Sequence, residues 1–300
     1  RPAAVPTQRH TVAPTPEVPE PPVRGSVVIP AHNEAAVIGR TLTPLAPLIG
    51  DGALEVVVVC NGCTDGTARE AARFPGVRVV EIAQASKTAA LRVGDTVASR
   101  WPRLYLDADV QIVPATVREV LAALSDDGPR AQSALRAARP AATYDTAGAH
   151  WLVRSYYRAR RRIPGVHGHL WGAGAYGVSR AGRARWGDFP DVVADDLWVD
   201  SLFAPDEKAV VGAVPAIVRV PRTVPDLLGV LRRSQRGKAH LVARGDVAES
   251  ARATVRELAG TVRGIQSGVD GLTYSALSIL ARLGATPGAG TWERDDSSRR

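Results

Sequence analysis

The sequence predicts an α/β protein with a mostly parallel central sheet, flanking helices and a helical appendage at the C-terminus. Two observations support this fold class. Short apolar runs and amphipathic segments alternate four times between residues 26 and 106, which is the pattern of successive β-α units. One run contains four consecutive valines, and an uninterrupted apolar run of that kind is typical of a strand buried on both faces of a sheet.

The elements of the first half follow the chain in a regular order. Each apolar run is followed by a short polar loop and then by a segment of helical periodicity. Thr64 and Asp65 are good N-cap residues for the second helix. The predicted strands are residues 26–29, 55–60, 77–82 and 103–106, and the predicted helices begin at Glu34, run from 64 or 65 to 74, and span 87–99.

Beyond residue 115 the pattern is less regular. The expected elements are a helix over 115–124, a helix or strand over 131–139, a basic helix over 151–162, a Gly-rich segment over 165–177 and a late strand over 214–220. Two apolar stripes at helical spacing come near the end, and they consist of Val255, Leu258, Ala259 and Val262, and of Leu272, Ala276, Ile279, Leu280 and Leu283. We expect both helices to pack on their own domain, although either stripe could form a dimer seam.

The composition indicates a globular chain in a reducing compartment. Of the 300 residues 45% are hydrophobic, which suffices for a large core. Residues 1–23 carry seven prolines without apolar periodicity, so we expect a disordered tail there. The sequence contains neither a membrane-spanning run nor a signal-peptide pattern, and its two cysteines make no disulfide framework. We therefore expect a cytoplasmic protein.

The positive charge is concentrated in the middle of the chain. The net charge is +8, and residues 128–187 contain eleven arginines but a single carboxylate, Asp145. Such a field favours an anionic partner, which could be a phosphorylated acceptor, a pyrophosphate or an acidic membrane surface. It also leaves open an arginine-rich protein that binds nucleic acid, although that reading does not explain the acidic motifs described next.

Three polar loops follow predicted strands, and ligands of parallel α/β sheets bind at those strand ends. The loops are Pro30-Ala31-His32-Asn33-Glu34, Asn61-Gly62-Cys63-Thr64-Asp65-Gly66-Thr67 and Asp107-Ala108-Asp109. In the last one, two carboxylates stand two residues apart on a turn. Magnesium and manganese favour such oxygen ligands and leave positions for substrate phosphates.

In their order and spacing these loops, with Lys87, resemble glycosyltransferase family 2, whose members have the GT-A fold. The resemblance covers about residues 24 to 245. It implies that the first loop and the loop after the second strand hold the nucleoside, and that the Asp-x-Asp turn holds the ribose and the metal. The implied nucleotide-sugar contacts are Pro30, Ala31, His32, Glu34, Asn61, Lys87 near the base, Asp107, Ala108 and Asp109, and Asp109 with Asp107 would bind Mg²⁺ or Mn²⁺. Where many members have an acidic residue after the second strand, this chain has Cys60-Asn61.

The second half contains further motifs of that family. Asp195-Asp196 resembles its acidic pair, whose second member is the catalytic base, and Asp200 is an alternative base. Arg233-Ser234-Gln235-Arg236-Gly237 is similar to the motif of processive members, with glycine in place of tryptophan. The resemblance therefore implies that Arg233 and Arg236 lie near the diphosphate. His240 stands where some GT-A enzymes have a further metal ligand.

Two other motifs have competing interpretations. Cys60 and Cys63 match Cys-x-x-Cys, but the chain has no second pair to complete a zinc site. Residues 172–177 match Gly-x-Gly-x-x-Gly, yet no strand is predicted before them, as a dinucleotide site requires. In the resembled family a Gly-rich segment before the base shapes the sugar and acceptor pocket, and this segment fits that description.

The resemblance implies an inverting, metal-dependent glycosyltransferase that takes a nucleotide-sugar, with UDP preferred. Its acceptor is open, and the basic segment favours a phosphorylated or lipid-linked molecule and contact with the cytoplasmic face of a membrane. The implied organisation is a catalytic domain over 24–225, with a nucleotide-binding half over 24–110 and an acceptor half over 111–225, and a helical segment over 226–300. The enzymatic alternative is a nucleotidyltransferase, but its Gly-rich loop with Lys or Arg after the first strand is absent here.

Overall fold

The computed structural model describes residues 24–125, 135–247 and 251–284. The disordered tail predicted for residues 1–23 lies outside these ranges, as does part of the segment predicted as helix or strand over 131–139. Within the described ranges the strands are β1 (Gly25–Ala31), β2 (Leu54–Asn61), β3 (Val77–Ile82), β4 (Arg103–Leu106), β5 (Ala137–Asp145), β6 (Ala175–Val178) and β7 (Lys208–Arg219).

The helices of the described residues alternate with these strands and then accumulate at the C-terminus. They are α1 (Ile38–Leu42), α2 (Ala46–Gly50), α3 (Thr67–Ala72), α4 (Lys87–Val97), α5 (Pro114–Leu124), α6 (Trp151–Arg160), α7 (Arg180–Arg183), α8 (Asp195–Ser201), α9 (Val224–Ala243), α10 (Ala251–Gly260) and α11 (Ile265–Leu283). Among them, no helix is long and apolar enough to cross a membrane.

The seven strands form one sheet in the order β3-β2-β1-β4-β6-β5-β7. β1 to β4 are parallel, β6 is antiparallel to both of its neighbours, and β7 is parallel to β5. The chain builds outward from β1 to β3 and then returns to the other side of β1. The strand order therefore reverses between β1 and β4, and this is the point where open α/β sheets bind ligands.

The valines of β2 contribute side chains to the cores on both faces of the sheet. Val56 and Val58 pack into the core beneath α1, α2 and α5, whereas Val57 and Val59 pack into the core on the opposite face. All four are fully buried. Alternation of side chains along a strand therefore explains why a continuous apolar run, rather than an alternating one, was required here.

Several predicted element boundaries differ from the observed ones. The first helix begins at Ile38 rather than at Glu34, because the Glu34 backbone is held in a loop where its N–H donates to Thr67 Oγ1. The second helix begins at Thr67, and Asp65 Oδ1 accepts the N–H of that residue. The late strand is longer than predicted, since it begins at Lys208.

The prediction that both C-terminal stripes pack on their own domain is wrong for the second stripe. Leu272 and Leu283 are 73% and 79% exposed, and Ile279 and Leu280 are half exposed. The helix α11 packs through another face, where Leu277 joins the core formed with α6 and α9. In the first stripe Leu258 is buried, whereas Val262 is exposed.

Candidate active site

The candidate site lies where β1 and β4 end at the reversal of strand order. A pocket there is closed on one side by α4 and on the other by the segment before β6. Its lining consists of Pro30, Lys87, Leu91, Tyr105, Leu106, Asp107, Gly174, Ala175, Tyr176, Asp195 and Asp196. Residues far apart in the sequence therefore meet at one end of the sheet.

The first loop is fastened to the loop that follows β2. Asn33 has a left-handed backbone (φ 54°), which asparagine tolerates better than most residues. Its Oδ1 accepts the N–H of Thr64 at 2.7 Å, and His32 Nδ1 lies 2.5 Å from the carbonyl oxygen of Asn61. These contacts bring together Pro30, Ala31, His32, Glu34 and Asn61 at the carboxyl ends of β1 and β2, and their role in nucleoside binding stays a prediction.

Asn61 is completely buried at the end of β2. Its Nδ2 donates to the carbonyl oxygen of Ala31 at 2.9 Å, which fixes the orientation of the amide. Its Oδ1 is buried and receives no hydrogen bond from the described residues. An orphaned carbonyl oxygen carries a desolvation cost, and a donor N–H from a ligand would offset it.

Lys87 joins the Asp-x-Asp turn to the second acidic motif. Its Nζ is 2.7 Å from Asp107 Oδ1 and 2.9 Å from Asp195 Oδ1. Burial lowers the pKa of Lys87, but the carboxylates of Asp107, Asp195 and Asp196 more than offset this and hold the pKa above its ordinary value. The ammonium therefore stays charged and contacts two motifs that lie 88 residues apart in the sequence.

The two acids of the second motif have different surroundings. Asp195 is 1% exposed, and its Oδ2 accepts the hydroxyl of Tyr176 at 2.9 Å, so both of its oxygens are occupied. Asp196 is half-buried, and its oxygens accept backbone N–H groups, from Gly172 to Oδ2 at 3.1 Å and from Leu197 to Oδ1 at 2.8 Å. Burial, followed by the charge of Asp195, raises the pKa of Asp196 to about 6, although Lys87 acts against this shift.

Asp200, the alternative base, is engaged elsewhere. Its carboxylate accepts the N–H of Leu170 at 2.7 Å, and it lies 2.8 Å from both Lys208 Nζ and His169 Nδ1. Burial raises the pKa of Asp200, but the hydrogen bonds from His169 and Lys208 lower it by a larger amount. The net shift of the pKa is therefore downward. This carboxylate anchors the loop before β6 and does not line the pocket.

Asp109 stands at the other side of the turn, near a pair of arginines that the sequence analysis did not single out. Burial and the charge of Arg219 lower the pKa of Arg40, whereas Asp109 acts in the opposite direction. Arg40 comes from α1 and Arg219 from the end of β7. Neither belongs to a motif, so only the fold brings them to the Asp-x-Asp turn.

The arginines of the processive-type motif lie on α9. Arg233 and Arg236 are half-buried, and His240 is exposed one turn further along. Gly237 is buried, and a Cβ built on it would lie 3.0 Å from the Cβ of Ala194. The glycine that replaces tryptophan therefore lets α9 approach the residue directly before Asp195.

The turn has the donor set that a divalent cation needs. Asp107 and Asp109 offer carboxylates, and a Cβ on Gly174 would lie 3.3 Å from Asp107 Oδ2 and 2.5 Å from Val110 Cγ2. A glycine at that position keeps space open beside the carboxylate. Among the described residues no group of three or more His, Cys, Asp and Glu could hold a metal, so His240 completes no such cluster. Magnesium and manganese are often held by one or two carboxylates together with substrate phosphates, which fits this turn.

The two cysteines remain thiols beside the loops. Cys60 is buried, and burial raises its pKa to about 12. Cys63 Sγ accepts the N–H of Asn33 at 3.4 Å. Because a thiolate is the reactive form of cysteine, the raised pKa of Cys60 disfavours redox chemistry through the Cys-x-x-Cys motif.

Comparison with known proteins gives a family and a fold. The profile of the family described as "Glycosyl transferase family 2" matches residues 26–180. No curated protein matches the chain. A mannosyltransferase from Pyrobaculum calidifontis, solved with GDP-Man and Mn²⁺, has a TM-score of 0.58 at 19% identity, over 90% of this chain and 86% of that chain.

A second set of similar structures comes from Mycobacterium tuberculosis. Its glucosyl-3-phosphoglycerate synthase, in complex with Mn²⁺, UDP and glucosyl-3-phosphoglycerate, has a TM-score of 0.54 at 24% identity, over 75% of this chain and 81% of that chain. The same enzyme with Mg²⁺ and UDP has a TM-score of 0.54 at 22% identity, over 75% and 80% of the two chains. At these identities the likeness establishes a shared fold.

Proposed function

We propose that this chain, which belongs to glycosyl transferase family 2, transfers a sugar from a UDP-sugar to an acceptor hydroxyl, with a divalent cation and with inversion at the anomeric carbon. The observation that carries the proposal is the meeting of the Asp107-Ala108-Asp109 turn and the Asp195-Asp196 pair around Lys87. The pocket thereby contains Asp107, one of the two carboxylates assigned to the cation, and a separate carboxylate, Asp196, that can take a proton.

The donor would lie across the ends of β1, β2 and β4. The buried Oδ1 of Asn61 would accept an N–H from the base, and Asp107 would lie nearer the ribose than Asp109 does. Asp109, with Asp107, would hold Mg²⁺ or Mn²⁺. The cation would supply positive charge to the departing diphosphate. Arg233 and Arg236 on α9 would add charge on the same side, since guanidinium groups pair well with phosphates.

Asp196 would act as the catalytic base. The acceptor oxygen forms a bond to the anomeric carbon as the bond from that carbon to the diphosphate breaks, and the hydroxyl proton passes to the Asp196 carboxylate. A pKa of about 6 keeps Asp196 ionised at neutral pH and gives it more basicity than an ordinary aspartate. Asp195, held by Lys87 and Tyr176, raises that basicity through its charge.

The proposal is tested by a thermal-shift panel of nucleotide-sugars, with and without Mn²⁺. We expect a UDP-sugar to raise the melting temperature only when the cation is present. Asp109→Ala should abolish the Mn²⁺-dependent part of donor binding in calorimetry, because it removes the carboxylate assigned to the cation. Asp51→Ala, which changes an exposed aspartate in the loop before β2, is the matched control and should bind like the wild type. Undiminished affinity of Asp109→Ala would refute the metal assignment.

A further inference from the structure

Arg160, at the end of α6, differs from four other arginines of the basic segment in its partners. Several of them bind carboxylates within the fold: Arg158 and Arg162 bind Asp270, Arg183 binds Asp95, and Arg185 binds Glu207. Arg160 is half-buried, and its hydrogen-bond partner is the hydroxyl of Tyr144, which accepts from Nε at 3.1 Å. No carboxylate among the described residues forms a salt bridge with it.

The guanidinium is held rigidly by aromatic side chains. Its Cζ lies 5.4 Å from the ring centroid of Trp171 and 5.9 Å from that of Tyr144. The Trp171 ring stacks in turn on His169, which is fixed to Asp200. Arg160 is therefore positioned in advance, with neither Nη atom donating to a described residue. A half-buried charge without a counter-ion is unfavourable, and an anionic ligand would offset that cost.

One residue, Gly172, connects Arg160 to the candidate base. The hydroxyl of Tyr144 donates to the carbonyl oxygen of Gly172 at 3.2 Å, and the N–H of Gly172 donates to Asp196 Oδ2 at 3.1 Å. A Cβ on Gly172 would lie 2.8 Å from Arg160 Nη2. Asp196 Oδ2 contacts the N–H of Gly172, and Arg160 Nη2 lies beside the Cα of the same residue. Arg160 Nη2 and Asp196 Oδ2 are therefore within about 8 Å of each other.

We propose that Arg160 binds an anionic group, phosphate or carboxylate, of the acceptor whose hydroxyl is deprotonated by Asp196. This inference rests on the role given to Asp196 in the proposed function. Because the two protein groups are this close, the anionic group of the acceptor must lie only a few bonds from the hydroxyl that reacts. The planar fork of the guanidinium matches the geometry of both anions.

The test is calorimetric titration of the full chain with three probes: glycerol 3-phosphate, glycerate and uncharged glycerol. Each titration is done without nucleotide and with UDP and Mn²⁺. We expect at least one anionic probe to bind and glycerol not to bind, and the stronger anionic probe identifies phosphate or carboxylate as the preferred group. Arg160→Gln should weaken that binding by about tenfold or more, since hydrogen bonds to charged groups are lost.

Two variants separate this role from a structural one. Arg154→Gln changes an exposed arginine on the same helix and should bind the probes like the wild type. Arg160→Lys keeps the charge without the fork, and we expect it to bind more weakly than the wild type but more tightly than Arg160→Gln. Binding of UDP with Mn²⁺ should be the same in all of these proteins, which also shows that they are folded.

The outcomes keep the two proposals apart. If neither anionic probe binds, or if Arg160→Gln binds them as the wild type does, the acceptor role of Arg160 is wrong while the donor assignment stands. If Arg160→Gln instead weakens UDP binding, the arginine serves the donor diphosphate and this inference is overturned. If wild-type protein binds no nucleotide with Mn²⁺, the proposed function is the part that fails.

Discussion

At the scale of single residues, the site works through neighbours that differ in their surroundings. Asp195 and Asp196 are adjacent in the chain, yet Asp195 is held by the side chains of Lys87 and Tyr176, whereas Asp196 accepts backbone N–H groups from Gly172 and Leu197. Burial and the neighbouring charge of Asp195 raise the pKa of Asp196 to about 6. Two identical side chains thus acquire separate roles, one in positioning and one in proton transfer.

Substitution of the base tests this division. Asp196→Asn should keep donor binding and lower kcat by about 10² to 10⁴-fold, the usual contribution of general base catalysis. In the wild type, kcat/KM should rise with pH through about 6, because only the ionised carboxylate accepts a proton. Steady-state kinetics between pH 5 and 8 would check both expectations. Near-normal turnover of the variant, or a rate independent of pH across that window, would contradict the assignment.

At the scale of elements, one buried carboxylate fastens α11 to α6. Asp270 is 0% exposed and accepts hydrogen bonds from Ser155 Oγ at 2.7 Å, Arg158 Nη2 at 2.8 Å and Arg162 Nη2 at 2.9 Å. Burial alone would raise the pKa of Asp270, but these partners hold it well below its ordinary value. The contact therefore adds a charged, hydrogen-bonded anchor to the apolar packing of α11 through Leu277.

Removal of this carboxylate should destabilise the protein. Asp270→Ala leaves two arginines without their acid, and we expect the free energy of unfolding to fall by about 3 kcal/mol. Asp246→Ala removes a surface pair with Arg244 and should cost about 0–1 kcal/mol. Urea denaturation at pH 7 compares the two. The Asp270 contribution is present above the ordinary aspartate pKa and is lost as the pH falls through its depressed folded value.

At the scale of the whole molecule, the surface carries an apolar stripe along α11 that the core does not use. Leu272 and Leu283 lie on this stripe, while Leu277 points into the core formed with α6 and α9. Helical periodicity alone cannot distinguish these faces, because each has apolar residues at suitable spacing. The buried face is selected by the contact of Asp270 with its arginines and by the ring of Tyr274, which stacks on Tyr156 with 4.7 Å between centroids.

This difference between faces has a measurable consequence. The double variant Leu272→Gln/Leu283→Gln should change the free energy of unfolding by no more than about 0.5 kcal/mol, because exposed side chains bury little surface. Leu277→Ala should cost about 2–5 kcal/mol, as buried leucines do. Chemical denaturation of dilute protein measures both values. A similar loss in the two variants would mean that the stripe is covered in the folded protein.

Most of the fold could be predicted from the sequence. The strands 77–82 and 103–106 match β3 and β4 residue for residue, and the mostly parallel sheet is confirmed. Strand positions can be predicted from the sequence because a strand that is buried on both faces needs an uninterrupted apolar run. The predicted helix starts at Lys87 and Trp151 are confirmed, whereas the start at Glu34 is wrong, since the hydroxyl of Thr67 from a distant loop accepts the Glu34 N–H.

Local patterns in the sequence specify the α/β fold class, the three polar loops at the strand ends and the acidic pair that follows them. These features are local, because they depend on periodicity and on residue types at short spacing. The tertiary structure decided which groups meet: Lys87 between Asp107 and Asp195, Arg40 and Arg219 near Asp109, and Arg160 close to Asp196. Electrostatic partners are set by distance in space, and only the folded sheet brings these separated segments together.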